Sequence, residues 1–400
     1  MSRIALPLSL ALMIAASLAT PALAQVQVIQ LPAPDAFSTP GRATGLPQDL
    51  WSGTPIDTAR AVLPVLAAKP LSPAAAALAR RVLATGAPGP KGSTSDEGLA
   101  GARAAALIAL GDVGSAAKIL DRAPGLERNA ALSQAAAESA LLAGDSAKAC
   151  AVANNLSSGR SDLYWLRLRA FCQAQAGQND QAQLTLDLAQ AQARDPAYGR
   201  LMAAKLSGAP AGAASLRNGL DLALSKALNL DLSTAKPAPA VAAALSGLDP
   251  AEPSFDVGAI DRDTGGLAST LYKGLPPDGG LSALIAAAAE ADTKTRGRLQ
   301  AAALLLGALA NDLPEADRTK IAGFATPEGR GPAGRDLALD AAVDTRRIGE
   351  AALLSLWICA DAGPAGPALG DRVRIVRSLA RVGLVDDARL FALEGLAALK

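Results

Sequence analysis

Two serines stand three residues before a lysine, Ser115 with Lys118 and Ser233 with Lys236. At that spacing the amine can take the hydroxyl proton and make serine a nucleophile. The Ser-x-Asn and Lys-Thr-Gly elements that complete such a site accompany neither pair. Histidine is absent from the chain, which excludes Ser-His-Asp and Cys-His machinery and histidine-based zinc sites. Asp261-Arg262-Asp263-Thr264-Gly265-Gly266 opens like a calcium loop, but its twelfth position is Tyr272 where a bidentate glutamate belongs. Lys91-Gly92-Ser93 reverses the order a phosphate loop requires. Both read as turn chemistry. Glu138-Ser139 pairs a carboxylic acid with a hydroxyl, and a glutamate of raised pKa in a deep pocket can act as a general acid. It lies within Ala135-Ala136-Ala137-Glu138-Ser139, which reads as a solvated helix. No catalytic residue, metal site or cofactor is expected.

The elements that carry these residues repeat. Gly111-Asp112, Gly144-Asp145 and Gly177-Gln178 fall at a step of 33 residues; Leu99, Leu132 and Trp165 precede them, and Ala116, Ala149 and Ala182 follow, at the same step. Three rows sharing one period signal a stacked array. Within each block an apolar helical face runs up to the glycine, as Trp165, Leu168 and Cys172 do. Glycine closes that helix because it takes a left-handed backbone without steric cost. A second helix follows, stopped in the third block by Asp195-Pro196. One such hairpin cannot bury its apolar face alone, whereas stacked hairpins can.

These residues resemble a tetratricopeptide (TPR) array. The resemblance rests on Trp165, Gly177, Ala182, Ala189 and Pro196 in the third block, on Leu132, Gly144, Ala149 and Leu156 in the second, and on Leu99, Gly111, Ala116, Ala123 and Pro124 in the first. The step is 33 where the family uses 34, and Arg103 and Arg169 stand where it prefers a small residue. The likeness implies an all-α, right-handed superhelical array of antiparallel helix pairs that binds a protein or peptide. It also makes Cys150 and Cys172 neighbours, as a candidate disulfide or as two buried small residues; Cys359 reads as core. Glu138-Ser139 is itself similar to the glutamate-serine pair of lytic transglycosylases, without that family's glycine-rich downstream motifs.

Taken in order, residues 1–24 read as a signal peptide: Met1-Ser2-Arg3, an apolar run from Ile4 to Leu18, and Ala22-Leu23-Ala24 before Gln25. Cleavage there predicts a secreted protein, periplasmic in a bacterium. Residues 25–50 are proline-rich and read as an extended arm, or as a tail that docks on the array. An N-terminal helical array covers 51–206, with the repeats over about 99–196. An irregular helical connection covers 207–280, its glycines and prolines marking a boundary or functional loop, and a C-terminal helical array covers 281–400. Beyond the leader no apolar run approaches a membrane span.

Aromatic residues make up only 3% of the chain, and alanine dominates every predicted helix. Without Arg3 the 38 basic residues become 37, equal to the 37 acidic ones. Such a balance, with the signs interspersed, points away from nucleic acid. The expected function is a non-enzymatic scaffold or adaptor for a protein or peptide partner in the cell envelope. The alternatives are a self-assembling structural subunit and a peptidoglycan-acting enzyme with a superhelical body. The candidate binding wall comprises Arg103, Gln134, Glu138, Arg167, Arg169 and Gln173, with Tyr164 and Phe171 as apolar anchors.

Overall fold

Alanine and leucine stretches free of proline run as helices, because these side chains lose little freedom in a helix. The computed structural model describes residues 37–399 apart from 248–249, 265, 275–276, 278–279 and 326–328. Among the described residues it forms twenty α-helices and no strand. The first hairpin is α1 (Ile56–Ala68) with α2 (Pro73–Ala84). Next come α3 (Glu97–Ala109) with α4 (Val113–Leu120), α5 (Ala130–Leu142) with α6 (Ser146–Asn155), and α7 (Leu163–Gln175) with α8 (Asn179–Gln192). Single helices follow: α9 (Pro196–Ser207), α10 (Gly219–Ala227), α11 (Pro239–Ser246), α12 (Val257–Thr264) and α13 (Leu267–Tyr272). α14 (Leu281–Glu290), α15 (Arg296–Gly307) and α16 (Glu315–Ala322) precede two last hairpins, α17 (Ala333–Asp344) with α18 (Ile348–Ala362) and α19 (Leu369–Arg381) with α20 (Val385–Ala397).

One turn recurs in the hairpins. Gly111, Gly144 and Gly177 take left-handed φ angles of 83°, 82° and 75°. Each glycine N–H then reaches back to Ile108, Leu141 or Ala174, and the next N–H to Leu107, Ala140 or Gln173, which satisfies carbonyls left free at the helix end. Asp112 and Asp145 cap the following helices by accepting from the N–H groups of Ser115 and Lys148. Five residues past each glycine, Ala116, Ala149 and Ala182 are fully buried, where two helices approach too closely for more than a methyl. The same turn joins α19 to α20 through Gly383 and Ala388. It also joins α17 to α18, where Arg346 holds the left-handed position at φ 53° and Ala351 is the buried alanine.

Packing runs in two directions from the first hairpin. α1 lies on α3 and α3 on α5, while α1 and α2 also pack on α18, and α2 on α20. The last helices thus stand beside the first ones, and buried residues from both ends belong to one hydrophobic cluster. A second cluster holds α5 to α10 together. Residues 37–50 are docked, not extended into solvent: Phe37 is buried edge-on against Trp51, and Gly41 N–H donates to the Ala84 carbonyl. The rest of the arm and the leader lie outside the described residues. The stretch expected as an irregular helical connection holds α10 to α13, the last two being short helices. Asp261 is spent inside it, accepting from the Ser269 N–H at 2.9 Å.

Cys150 on α6 and Cys172 on α7 form a disulfide with Cα atoms 5.6 Å apart, at a sequence separation of 22. Closing a loop of that length restricts the unfolded chain, so replacing both cysteines by serine should cost about 3 kcal/mol. Urea unfolding of the double variant, beside the reduced parent protein, measures this.

Burial pushes the Asp387 carboxyl up from 3.8 to about 6, although Arg81 at 2.5 Å works against the rise. Between those values the unfolded chain has released a proton that the folded chain keeps, so stability falls as pH rises through this window. The cost should reach the order of 2–3 kcal/mol. Urea midpoints at several pH values should show this fall in the parent protein and lose it in Asp387→Asn.

Candidate functional site

Small residues recur along one face of α3: Gly98, the adjacent Gly101 and Ala102, Ala105 and Ala109 stand three or four residues from one another along it. Gly101 lets α3 and α5 close up, since a Cβ there would lie 3.0 Å from the Ala131 backbone. The rest of this face borders a hollow of about 870 Å³, walled also by the end of α1, by α5 and by the start of α11. A size of that order is typical of sites that enclose a ligand, roughly 300–1,000 Å³. Its lining is mostly alanine, glycine, leucine and proline. Polar groups gather at its margins, and a smaller hollow of about 370 Å³ adjoins it, sharing Gln134, Glu138 and Asn218.

Glu138 marks the junction. Its carboxylate accepts the Gly219 N–H at the start of α10, and the Tyr164 hydroxyl donates to it at 3.4 Å. Burial raises the Glu138 carboxyl above the ordinary range, opposed by those two donors. Burial and the Glu138 charge raise the Tyr164 hydroxyl in turn. A Cβ on Gly219 would fall 3.1 Å from the Glu138 carboxyl carbon and 3.0 Å from the Leu141 Cβ. Gly219→Ala should therefore push α10 off α5 and cost about 1–3 kcal/mol, with loss of amide-exchange protection concentrated in α10.

Beyond Glu138 the margin is an ion network. Arg217 donates to Asp221 at 2.6 Å and to both oxygens of Asp195 at 3.0 Å, while Asp195 caps α9 through the Tyr198 N–H. Burial alone would raise the Asp195 carboxyl, but the Tyr198 N–H and Arg217 outweigh it and hold it low. Arg167 joins from α7, 3.4 Å from Asp195 and stacked over Tyr198.

Of the eight residues assigned to the binding wall from sequence, Gln134, Glu138, Tyr164 and Arg167 meet here. The other four do not. Arg103 is 0% exposed; it donates to the carbonyls of Leu83, Thr85 and Thr39 and stacks over Phe37, so it holds the interior together. Phe171 is likewise 0% exposed, within the second hydrophobic cluster. Arg169 donates to the Arg160 carbonyl at 2.7 Å on the opposite flank of α7, and Gln173, one turn further, shares that flank. Sequence reasoning missed Arg80, Asn218 and Asp221. The available signal for Arg80 was a charged residue inside the alanine run of α2.

The chain is thus an all-α protein of packed helix hairpins with an apolar trough rimmed by fixed charges. Comparison with protein-family models, curated proteins and solved structures gives no match. Among the described residues no helix is long and apolar enough to cross a membrane.

Proposed function

We propose that this chain is a non-enzymatic TPR-like scaffold of the cell envelope, which seats an apolar group in the trough and offers its outer helices to a protein partner. The large hollow behind the small-residue face of α3 carries this reading, because a continuous apolar recess on a folded chain has few uses other than binding. Three features support the TPR-like superhelical form: the 33-residue step, the shared glycine turn and the buried alanine row. The amino-terminal leader supports export, and the Cys150–Cys172 disulfide fits an oxidising compartment.

A photo-crosslinking residue at Gln134, at the trough margin, tests the reading against one at Gln183 on the exposed side of α8. A discrete adduct in intact cells from position 134 alone is expected. Equal labelling from both positions, or none from 134, would reject the trough as the seat. Fractionation of cells expressing the chain with and without residues 1–24 tests export.

The self-assembling reading has its own observation, since Leu184 and Leu188 stand one turn apart on α8 and are 65% and 54% exposed. Light scattering decides it: a polymer that dissolves in Leu184→Gln/Leu188→Gln would favour assembly over the adaptor. The enzyme reading draws on the raised Glu138 carboxyl, and peptidoglycan clearing that vanishes in Glu138→Gln would establish it.

A further inference from the structure

Arg80 is the positive charge in the trough lining that, among the described residues, has no ion pair. It sits on α2 among Ala76, Leu71 and Ala105 in the lining and is 8% exposed. A guanidinium carries five N–H donors, yet the described partner of Arg80 is the Ala251 carbonyl at 3.3 Å. Among the described residues no carboxylate lies within ion-pair distance of it. Asp112 is held by Arg42 and by the Ser115 N–H, and Glu252 is exposed. The neighbouring arginine, Arg81, has Asp387. Burial lowers the Arg80 pKa, and the Glu252 and Asp112 charges, beyond ion-pair distance, oppose that only in part. The other charged groups of the lining are already committed: Lys69 to Asp361, Arg217 to Asp195 and Asp221, and Glu138 to the Gly219 N–H.

The wall itself says what the remainder of a ligand must be. Along the middle of α3 and α5 the backbone groups are paired within their own helices, and between Arg80 and the polar margin this part of the wall offers methyl groups, glycine and leucine. A peptide laid there would bury N–H and C=O groups without partners, which is costly. An alkyl chain has none to satisfy.

Resting on the trough as the ligand seat, we propose that its occupant is a long-chain carboxylic acid, with its carboxylate on Arg80 and its alkyl chain along the α3 face. Charge-assisted bonds to a guanidinium are strong when water is excluded. An under-paired buried cation, by contrast, weakens the fold that holds it.

Calorimetric titration of the full chain with hexadecanoate, hexadecan-1-ol and an apolar hexapeptide with a free C-terminus tests the assignment. Hexadecanoate should bind at least ten times more tightly than the alcohol. Arg80→Met should erase that difference while raising the thermal midpoint, an outcome that a merely structural arginine would not give. Arg80→Lys, which keeps a cation, should retain the preference for the acid, and Ala105→Trp should obstruct the α3 face of the trough and remove binding of both lipids. Equal affinity for acid and alcohol in the parent protein would overturn the carboxylate assignment while leaving the trough as an apolar seat. Tighter binding of the hexapeptide than of hexadecanoate would overturn the acyl chain. Absence of binding by all three, or hexadecanoate binding that survives Ala105→Trp, would overturn both this assignment and the trough reading.

Discussion

Arg103→Met should lower the unfolding free energy by about 3–5 kcal/mol, the range seen when one member of a buried polar network is removed. The guanidinium lies at the end of α2 and donates to Leu83 at 2.8 Å, Thr85 at 2.9 Å and Thr39 at 3.3 Å. Two of these carbonyls belong to the last residues and cap of α2, where the helix dipole favours a cation. The third belongs to the docked segment that includes Phe37, whose ring centroid lies 5.2 Å from the same guanidinium. One side chain therefore ties α2, α3 and the amino-terminal segment together. Methionine fills similar space but leaves those carbonyls without their donor. Arg103→Lys should fall between, since one ammonium cannot reach all of them in the planar geometry of arginine. Urea unfolding measures the series, and a loss under about 1 kcal/mol for Arg103→Met would show that the network is dispensable.

That residue also shows where sequence reading stops. The hairpin turns were legible because glycine is favoured at a left-handed position, so a period in glycine is a period in turns. The α17–α18 turn carries Arg346 in that position and left no such mark, although its buried Ala351 follows at the usual distance. Asp195-Pro196 reads as a stop. It is also a start, because the Asp195 side chain accepts from Tyr198 and Pro196 opens α9. Spacing along one helix placed Glu138 and Gln134 together, since helical neighbours share a face. Whether that face meets a cavity or another helix depends on which hairpin packs where, and on that point Arg103 and Phe171 were misread. Arg80 and Arg81 are indistinguishable in sequence; the partner that separates them, Asp387, is 306 residues beyond Arg81.

Long-range pairing of this kind underlies the other large effect expected. Arg372 on α19 donates to Glu394 on α20 at 2.6 Å, with side chains 4% and 10% exposed, and the second Glu394 oxygen accepts the Ala74 N–H in the first turn of α2 at 2.8 Å. The carboxylate thus neutralises a buried cation and caps the start of a helix 320 residues away in sequence. Gly395 leaves room for it, since a Cβ there would come 2.5 Å from the Arg372 Cδ. Arg372→Met strands the glutamate charge in the interior and should cost about 3–5 kcal/mol, a large part of a typical domain's stability. Adding Glu394→Gln to that variant removes the stranded charge, while the amide oxygen still accepts from Ala74. The double variant should therefore be more stable than Arg372→Met alone, and its loss should fall short of the sum of the two single losses by about 1–3 kcal/mol. Simple additivity of the two single losses would mean that the pair does not act as a unit. Hydrogen exchange locates the effect: in Arg372→Met the lost protection should fall on α2, α19 and α20 together, because the same carboxylate joins all three.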